Sequence, residues 1–334
     1  MIVRRDLTHF NTQTVLILMF KILLLFKIEI FFIKKYILVL MKKIIFSDVT
    51  ARDGLQSLNK LLSLNQKTKL IQDLSKCKFL EIEVGSLINP KIIPQMKDSL
   101  DVYNNTISDN YKSFLLAGNK KSIDDINNKK IKYFSLFSST SDAFNLSNIN
   151  TTILGSFLRF RQMVEQLDNR NYHHIKGYIS CIGECPYKGD IPIEKTLRVI
   201  EDFIDIGINE ICLADTIGTL EPDKLDIILK ETNKIYDPNL LSLHFHTDNK
   251  YSNETWKRNL DVSLKNGIFK FDTSLLGIGG CPTAYSQCTK NGNLDIKNAV
   301  MFFKKNNVEI ENIDSDELLS EIIKLEKKWK NILI

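Results

Sequence analysis

The sequence predicts an α/β chain folded as a parallel eight-stranded (β/α)8 TIM barrel with an extra C-terminal helix. Three observations carry this. From Met41 onward, eight short apolar runs alternate with longer amphipathic ones, the order of repeated right-handed βαβ units. Eight such units in about 260 residues match a closed barrel. No Gly-x-Gly-x-x-Gly follows the first strand, so an open dinucleotide-binding sheet loses support.

Strands are predicted over Lys43–Val49, Phe79–Val84, Tyr111–Ala117, Ile131–Phe137, Lys176–Cys181, Glu210–Ala214, Leu240–His246 and Phe269–Ser274. Helices are predicted over Asn65–Lys76, Ile92–Leu100, Ser122–Asn127, Thr151–Asn169, Ile193–Ile206, Pro222–Ile235, Asn253–Asn266 and Leu294–Lys305. Glu221-Pro222 is an ordinary helix start. Asp314 to Trp329 reads as a final helix outside the barrel.

Of 334 residues, 43% are hydrophobic and 25% charged, enough apolar surface for a sizeable core. The net charge is +5, and the lysines are interleaved with acids. That pattern is solvated surface, not a nucleic-acid stripe. Cys77, Cys181, Cys185, Cys212, Cys281 and Cys288 form neither a disulfide framework nor a zinc ribbon. A reducing, cytoplasmic setting is therefore expected. Residues 1–40 form a hydrophobic N-terminal extension, ahead of a catalytic domain over 41–334. Three readings compete for it: a membrane helix or signal anchor, an amphipathic surface anchor, or a stretch upstream of the natural start at Met41. Lys21, Lys27, Glu29, Lys34 and Lys35 cut against a clean span, since each costs about 3 kcal/mol at a bilayer centre. Membrane association is expected only if this segment is retained.

In such a barrel the active site forms at the C-terminal ends of the strands, and chemically loaded residues gather there. Arg52 and Asp53 sit just past the first strand. Alone, they read as a loop ion pair. Glu83 lies in an apolar second strand, where a carboxylate needs a partner. Arg52 could supply it; otherwise Glu83 faces outward under a helix. Tyr178 and Ser180 share one face of the fifth strand. Asp215 closes the sixth strand, as a polar site group or as a cap for the next helix. His244 and His246, at i and i+2, project from one face of the seventh strand, which suits metal ligands. Gly277-Ile278-Gly279-Gly280-Cys281-Pro282 makes a loop able to approach a ligand closely. Cys281 at its tip is a general acid or base, or an inert thiol. Asn293 is either the N-cap of the next helix or a neutral oxygen ligand. Asp53, His244, His246 and Asn293 together offer two oxygens and two nitrogens, a set suited to octahedral Mg2+ or Mn2+. Zinc fits less well, because no thiolate belongs to the set by necessity.

Arg52-Asp53-Gly54-Leu55-Gln56, Ile82-Glu83-Val84, Pro90-Lys91-Ile92-Ile93-Pro94-Gln95-Met96, Asn148-Ile149-Asn150, Gly177-Tyr178-Ile179-Ser180-Cys181, Cys185-Pro186-Tyr187, Asp215-Thr216-Ile217-Gly218, His244-Phe245-His246, Gly279-Gly280-Cys281-Pro282 and Gly292-Asn293 occur in the order seen in hydroxymethylglutaryl-CoA lyases. From about Lys42 to Asn312 the chain resembles that family. The resemblance implies a divalent metal on Asp53, His244, His246 and Asn293. It implies that Arg52 stabilises an enolate oxygen, with Glu83 holding Arg52. Asp215 would orient or deprotonate a tertiary hydroxyl, with His244 near the same proton, and Cys281 would act as acid or base. Gln56, Ser86, Asn148, Tyr178 and Ser180 would line the acyl-CoA thioester substrate. A homodimer is left open, and no nucleic-acid partner is expected. The implied reaction cleaves 3-hydroxy-3-methylglutaryl-CoA, or a close 3-hydroxyacyl-CoA, to acetyl-CoA and acetoacetate. Two alternatives are a Claisen-condensing acyltransferase using acetyl-CoA and a 2-oxo acid, and an inactive acyl-CoA-binding barrel. This chain departs from the family at Thr247-Asp248-Asn249-Lys250, at Lys176 in place of Arg, at Lys297, at Asn89, and in a longer loop between Cys281 and Asn293.

Overall fold

The computed structural model describes residues 42–168, 171, 173–247, 254–280 and 292–334. The extension over 1–40 and Cys281 lie outside the described residues. Eight parallel strands run in chain order: β1 Ile45–Asp48, β2 Glu81–Ser86, β3 Lys112–Leu116, β4 Tyr133–Ser139, β5 His174–Ser180, β6 Glu210–Asp215, β7 Leu241–Thr247 and β8 Lys270–Thr273. Each pairs with the next, and β8 pairs back onto β1, so the sheet closes on itself. Every predicted strand is present, with ends shifted by no more than a few residues.

Ten helices surround it among the described residues: α1 Leu64–Leu74, α2 Ser99–Thr106, α3 Lys120–Lys129, α4 Asp142–Ile149, α5 Ile153–Glu165, α6 Ile193–Asp205, α7 Pro222–Thr232, α8 Thr255–Lys265, α9 Ile296–Lys305 and α10 Ser315–Leu333. None is long and apolar enough to cross a membrane. One helix expectation fails locally, and one helix was not foreseen. Ile92–Leu100 is not one helix but a 3-10 turn at Pro94–Met96 followed by α2. Pro94 supplies no N–H and biases Ile93 away from the helical region, so helix cannot run through it. Ahead of α5 stands α4, unforeseen, capped by Ser141 accepting from Phe144 N. A two-residue hairpin, Glu184–Cys185 with Gly189–Asp190, was also missed.

Strand alternation divides the sheet into two faces. The outer one is apolar: Phe46, Ile82, Phe134, Ile179, Leu213, Phe245 and Phe271 are buried against the helix layer. Phe271 meets Phe303 of α9 at 5.5 Å between ring centroids. The inner face is unusually polar. Ser47, Glu81, Glu83, Ser135, Lys176, Tyr178, Cys212, Ser242, His244 and Asp272 lie on it, interrupted at β3 by Phe114 and Leu116. At the N-terminal end of the interior, Lys270 donates to Glu81 (2.6 Å) and to Glu210 (2.5 Å), and Lys176 lies 3.1 Å from Glu210. Buried charges of both signs therefore neutralise one another across the interior.

The C-terminal helix α10 is docked, not loose. Leu318, Ile322, Leu325, Trp329 and Leu333 recur at helical spacing and are all buried. Trp329 Nε1 donates to Asp73 Oδ2 of α1 at 3.2 Å, and Lys328 donates to the same oxygen. Trp329→Ala should lower unfolding free energy by about 3–5 kcal/mol, read from urea melts. A loss under about 1 kcal/mol would mean that α10 is not coupled to the barrel.

Candidate metal centre and active site

The chain leaves β1 through a five-residue π-helical turn, Thr50–Gly54, closed by Gly54 N donating to Val49 O at 3.0 Å. This wide turn sets two successive side chains, Arg52 and Asp53, inside the barrel mouth, only 7% and 6% exposed. Gly54 is required by close approach: a Cβ there would stand 2.8 Å from Ile278 Cγ1. Asp48, the other carboxylate of the stretch, is not part of the cluster. It closes β1 on the helix-facing side and accepts from Thr50 N (3.0 Å) and Thr50 Oγ1 (2.9 Å). Burial pushes its carboxyl up to about 7, with the Thr50 bonds opposing.

Glu83 faces inward and pairs with Arg52, as expected. Arg52 Nε donates to Glu83 Oε2 at 2.5 Å, and Arg52 Nη1 donates to Asp53 Oδ1 at 2.6 Å. Ser135 Oγ donates to the other Glu83 oxygen at 2.8 Å. The guanidinium carbon lies 5.3 Å from the Tyr178 ring centroid. Nη2 has no acceptor among the described residues, so one arm of an otherwise fixed guanidinium stays available. Burial would weaken its hold on the proton, but the Glu83 and Asp53 carboxylates raise its proton affinity overall and keep it charged.

Asp53, His244 and His246 come together, with their ligand atoms all within 4.8 Å of one another. Asp53 Oδ1 is anchored by Arg52 Nη1 and by Gln56 Nε2, each at 2.6 Å. Asp53 Oδ2 lies 4.0 Å from His244 Nε2, and the two histidine Nε2 atoms lie 3.1 Å apart. Burial alone would raise the Asp53 carboxyl, yet the Arg52 charge foremost, with the neighbouring histidines and the Asn293 hydrogen bond, holds it below the usual range. Burial first, then His244, pushes His246 down to about 3, keeping the imidazole neutral and its lone pair available.

Asn293 completes the set. It is not the cap of α9, because Asp295 takes that place by accepting from Asn298 N. Instead Asn293 pairs antiparallel with His246. Its Nδ2 donates to Asp53 Oδ2 (2.8 Å) and Ile278 O (3.1 Å), and its Oδ1 is buried with no hydrogen-bond donor. A buried amide oxygen left unmet beside a carboxylate and two imidazoles is a donor set that a divalent cation would satisfy. Gly279 makes this placement possible: its φ is +138°, and a Cβ would overlap the Asn293 amide, 2.6 Å from Cγ.

The other expected residues have different fates. Asp215 pairs with Phe245, on the helix-facing side of the sheet. Its Oδ1 accepts from Gly218 N (3.1 Å) and Thr219 N (3.2 Å), and its Oδ2 from Leu220 N (3.1 Å). The capping alternative thus describes its hydrogen bonds, and it does not join the cluster around Asp53. Burial pushes its carboxyl up to about 6 against those amides. Tyr178 points inward, with its hydroxyl donating to Asp272 Oδ2 at 2.8 Å. Ser180 is buried at the end of the same strand. Ser86 donates to Leu116 O at 3.2 Å, and Asn148 donates to Phe144 O of its own helix at 2.9 Å. Lys297 turns away to Glu326 of α10 at 2.7 Å. Sequence reasoning missed Asp272, which touches His244, Tyr178 and Lys176. The signal was present: a period of two places Lys270, Asp272 and Ser274 on one face of β8, and a carboxylate inside a strand demands partners.

Fold and site define a (β/α)8 barrel whose mouth holds a buried Asp–His–His cluster able to bind a divalent cation. Residues 43–327 match the HMGL-like family model. The mitochondrial hydroxymethylglutaryl-CoA lyase of Arabidopsis thaliana is 34% identical over 71% of this chain, which spans only 50% of that relative. The 3-hydroxy-3-isohexenylglutaryl-CoA/hydroxymethylglutaryl-CoA lyase of Pseudomonas aeruginosa is 32% identical over 73% of this chain and 80% of its own. A solved HMG-CoA lyase from Acinetobacter baumannii, in complex with coenzyme A and 3-methylmalate, superposes with a TM-score of 0.77 at 28% identity, covering 85% of this chain and 90% of that one. The chain belongs to the HMGL-like family, the family of the hydroxymethylglutaryl-CoA lyases.

Gly279→Ala should displace Asn293 and weaken Mn2+ binding by at least about 10-fold, the scale of a disturbed ligand shell, as measured by calorimetric titration. Undiminished affinity would remove Asn293 from the ligand set.

Proposed function

We propose that this protein is a divalent-metal-dependent carbon–carbon lyase. Its substrate is 3-hydroxy-3-methylglutaryl-CoA or a close 3-hydroxyacyl-CoA, cleaved to acetyl-CoA and acetoacetate. The observation that carries this is a fixed guanidinium, Arg52, standing directly beside a buried Asp53–His244–His246 cluster. The coenzyme A held by the solved Acinetobacter relative supports a thioester substrate. The condensing alternative gains nothing from relatives named as lyases, and an inactive barrel gives no reason for so complete a ligand set.

Breaking a carbon–carbon bond beside a tertiary hydroxyl sends the bonding electron pair to the thioester end as an enolate. Mg2+ or Mn2+ on Asp53, His244, His246 and Asn293 would supply Lewis acidity to the substrate's hydroxyl and carbonyl oxygens. Arg52 stabilises the enolate oxygen through Nη2, and Glu83 and Asp53 keep the guanidinium from reorienting. Gln56 holds Asp53 in register from the other side. Asp215 closes β6 outside the Asp53 cluster and is read as accepting the hydroxyl proton, because burial pushes its carboxyl up to about 6, where it can take and release a proton around neutrality. Cys281 then protonates the enolate carbon, and Ser180 and Tyr178 bound the pocket. The 3-isohexenyl substrate in the name of the Pseudomonas relative makes a branched or lengthened acyl group a natural second candidate.

The test is release of acetyl-CoA from a panel of 3-hydroxyacyl-CoA thioesters with Mn2+ or Mg2+ present; no release from any of them would refute the reading. The carboxylate form of Asp215 is the active one, so kcat/KM should rise with pH through about 6 and then level. Asp215→Asn should lower the plateau by about 10²–10⁴ and abolish that limb. If the limb survives, Asp215 is a loop cap alone. His246→Ala should weaken Mn2+ binding, whereas Cys281→Ala should leave binding intact and lower turnover by about 10²-fold or more. Loss of metal in both variants would contradict this division of roles.

A further inference from the structure

We infer that Asp272 is the positioning residue of His244, held in place by Lys176 and Tyr178, and that it fixes the imidazole so that Nε2 faces the centre. The inference rests on the reading above that this centre binds a divalent cation. It adds an outer frame centred on Asp272, which no sequence motif marked.

Asp272 and His244 are register partners on adjacent strands, β8 and β7. His244 Nδ1 lies 3.1 Å from Asp272 Oδ2. A carboxylate only accepts, so Nδ1 carries the proton, and Nε2 is the ring nitrogen left to face a cation. Nε2 is the atom that looks toward His246 and Asp53. The carboxylate cannot swing away. Oδ2 also receives the Tyr178 hydroxyl at 2.8 Å, and Oδ1 lies 3.3 Å from Lys176 Nζ. Lys176 is wholly buried, with Glu210 at 3.1 Å and Glu81 at 3.6 Å on its other sides. The barrel's inner charges thus reach one ring nitrogen through a single chain of contacts. Such outer partners orient metal-binding histidines and set their tautomer. The same Tyr178 ring that lies under Arg52 places its hydroxyl on Asp272, so the two halves of the site share one support.

The test uses metal-free protein labelled with 15N-histidine. Long-range 1H–15N correlation spectra should show His244 as the Nδ1–H tautomer. In Asp272→Asn the amide oxygen stays with Lys176, and the NH2, in the place of Oδ2, faces the ring and the Tyr178 hydroxyl. His244 should then become the Nε2–H tautomer, with Mn2+ affinity down by about 10–100-fold. Tyr178→Phe removes one hydroxyl and should give a smaller loss in the same direction, which keeps the question open to test if Asp272→Asn fails to fold. An unchanged His244 tautomer together with Mn2+ affinity within about twofold of wild type would overturn the assignment and leave Asp272 as core structure. Neither readout uses turnover. A wild-type protein that releases no acetyl-CoA would count against the lyase reading and leave this assignment standing.

Discussion

Arg52 carries a permanent charge into the barrel mouth, where it is 7% exposed and cannot be solvated by bulk water. Its neighbours follow from that constraint. Glu83 and Asp53 neutralise the guanidinium from two directions, Ser135 holds the far oxygen of Glu83, and the Tyr178 ring covers the guanidinium. Losing one member of a buried pair strands the other, at a cost of about 3–5 kcal/mol. The arrangement is therefore stiff in the sense that matters for catalysis: a donor aimed at developing charge needs no reorganisation when the charge appears. Asp53 belongs to both halves of the site, with one oxygen given to Arg52 and Gln56 and the other facing the histidines.

This barrel gives up apolar interior to achieve that. Most parallel strands covered by helices are apolar on both faces. Here the inner face carries Glu81, Glu83, Lys176, Glu210, Lys270 and Asp272, and the apolar burden falls on the outer face and the helices. The buried charges form a closed set of opposite signs, so each acts on its neighbours across a few ångströms of low-dielectric space. Lys176 illustrates the economy of this frame. An ammonium in place of a planar guanidinium loses bidentate geometry, yet Tyr178 and His244 already occupy Oδ2 of Asp272, and one point charge near Oδ1 suffices.

Much of this was legible before any coordinates. Eight strand windows were right because a buried parallel strand and an amphipathic helix leave different periods in the chain. The His244/His246 pair was legible because a strand's period of two forces both rings to one side. The helix expected over Ile92–Leu100 failed because Pro94 stops the helix there, which a reading by periodicity alone overlooks. Asp272 was overlooked because nothing near it in sequence is unusual; its meaning comes from Tyr178, Lys176 and His244, all distant along the chain.

By itself the sequence determined the fold class, the strand ends where chemistry gathers, and the His244/His246 pair as candidate ligands, because these depend on local period and residue type. Tertiary structure decided which of two readings each residue takes. Glu83 turned inward to Arg52, Asn293 left the helix cap to Asp295 and kept a bare oxygen, and Asp215 gave its carboxylate to a loop. The physical reason is that pairing, burial and an unmet hydrogen bond are properties of the space between segments, and that space exists only once the barrel has closed.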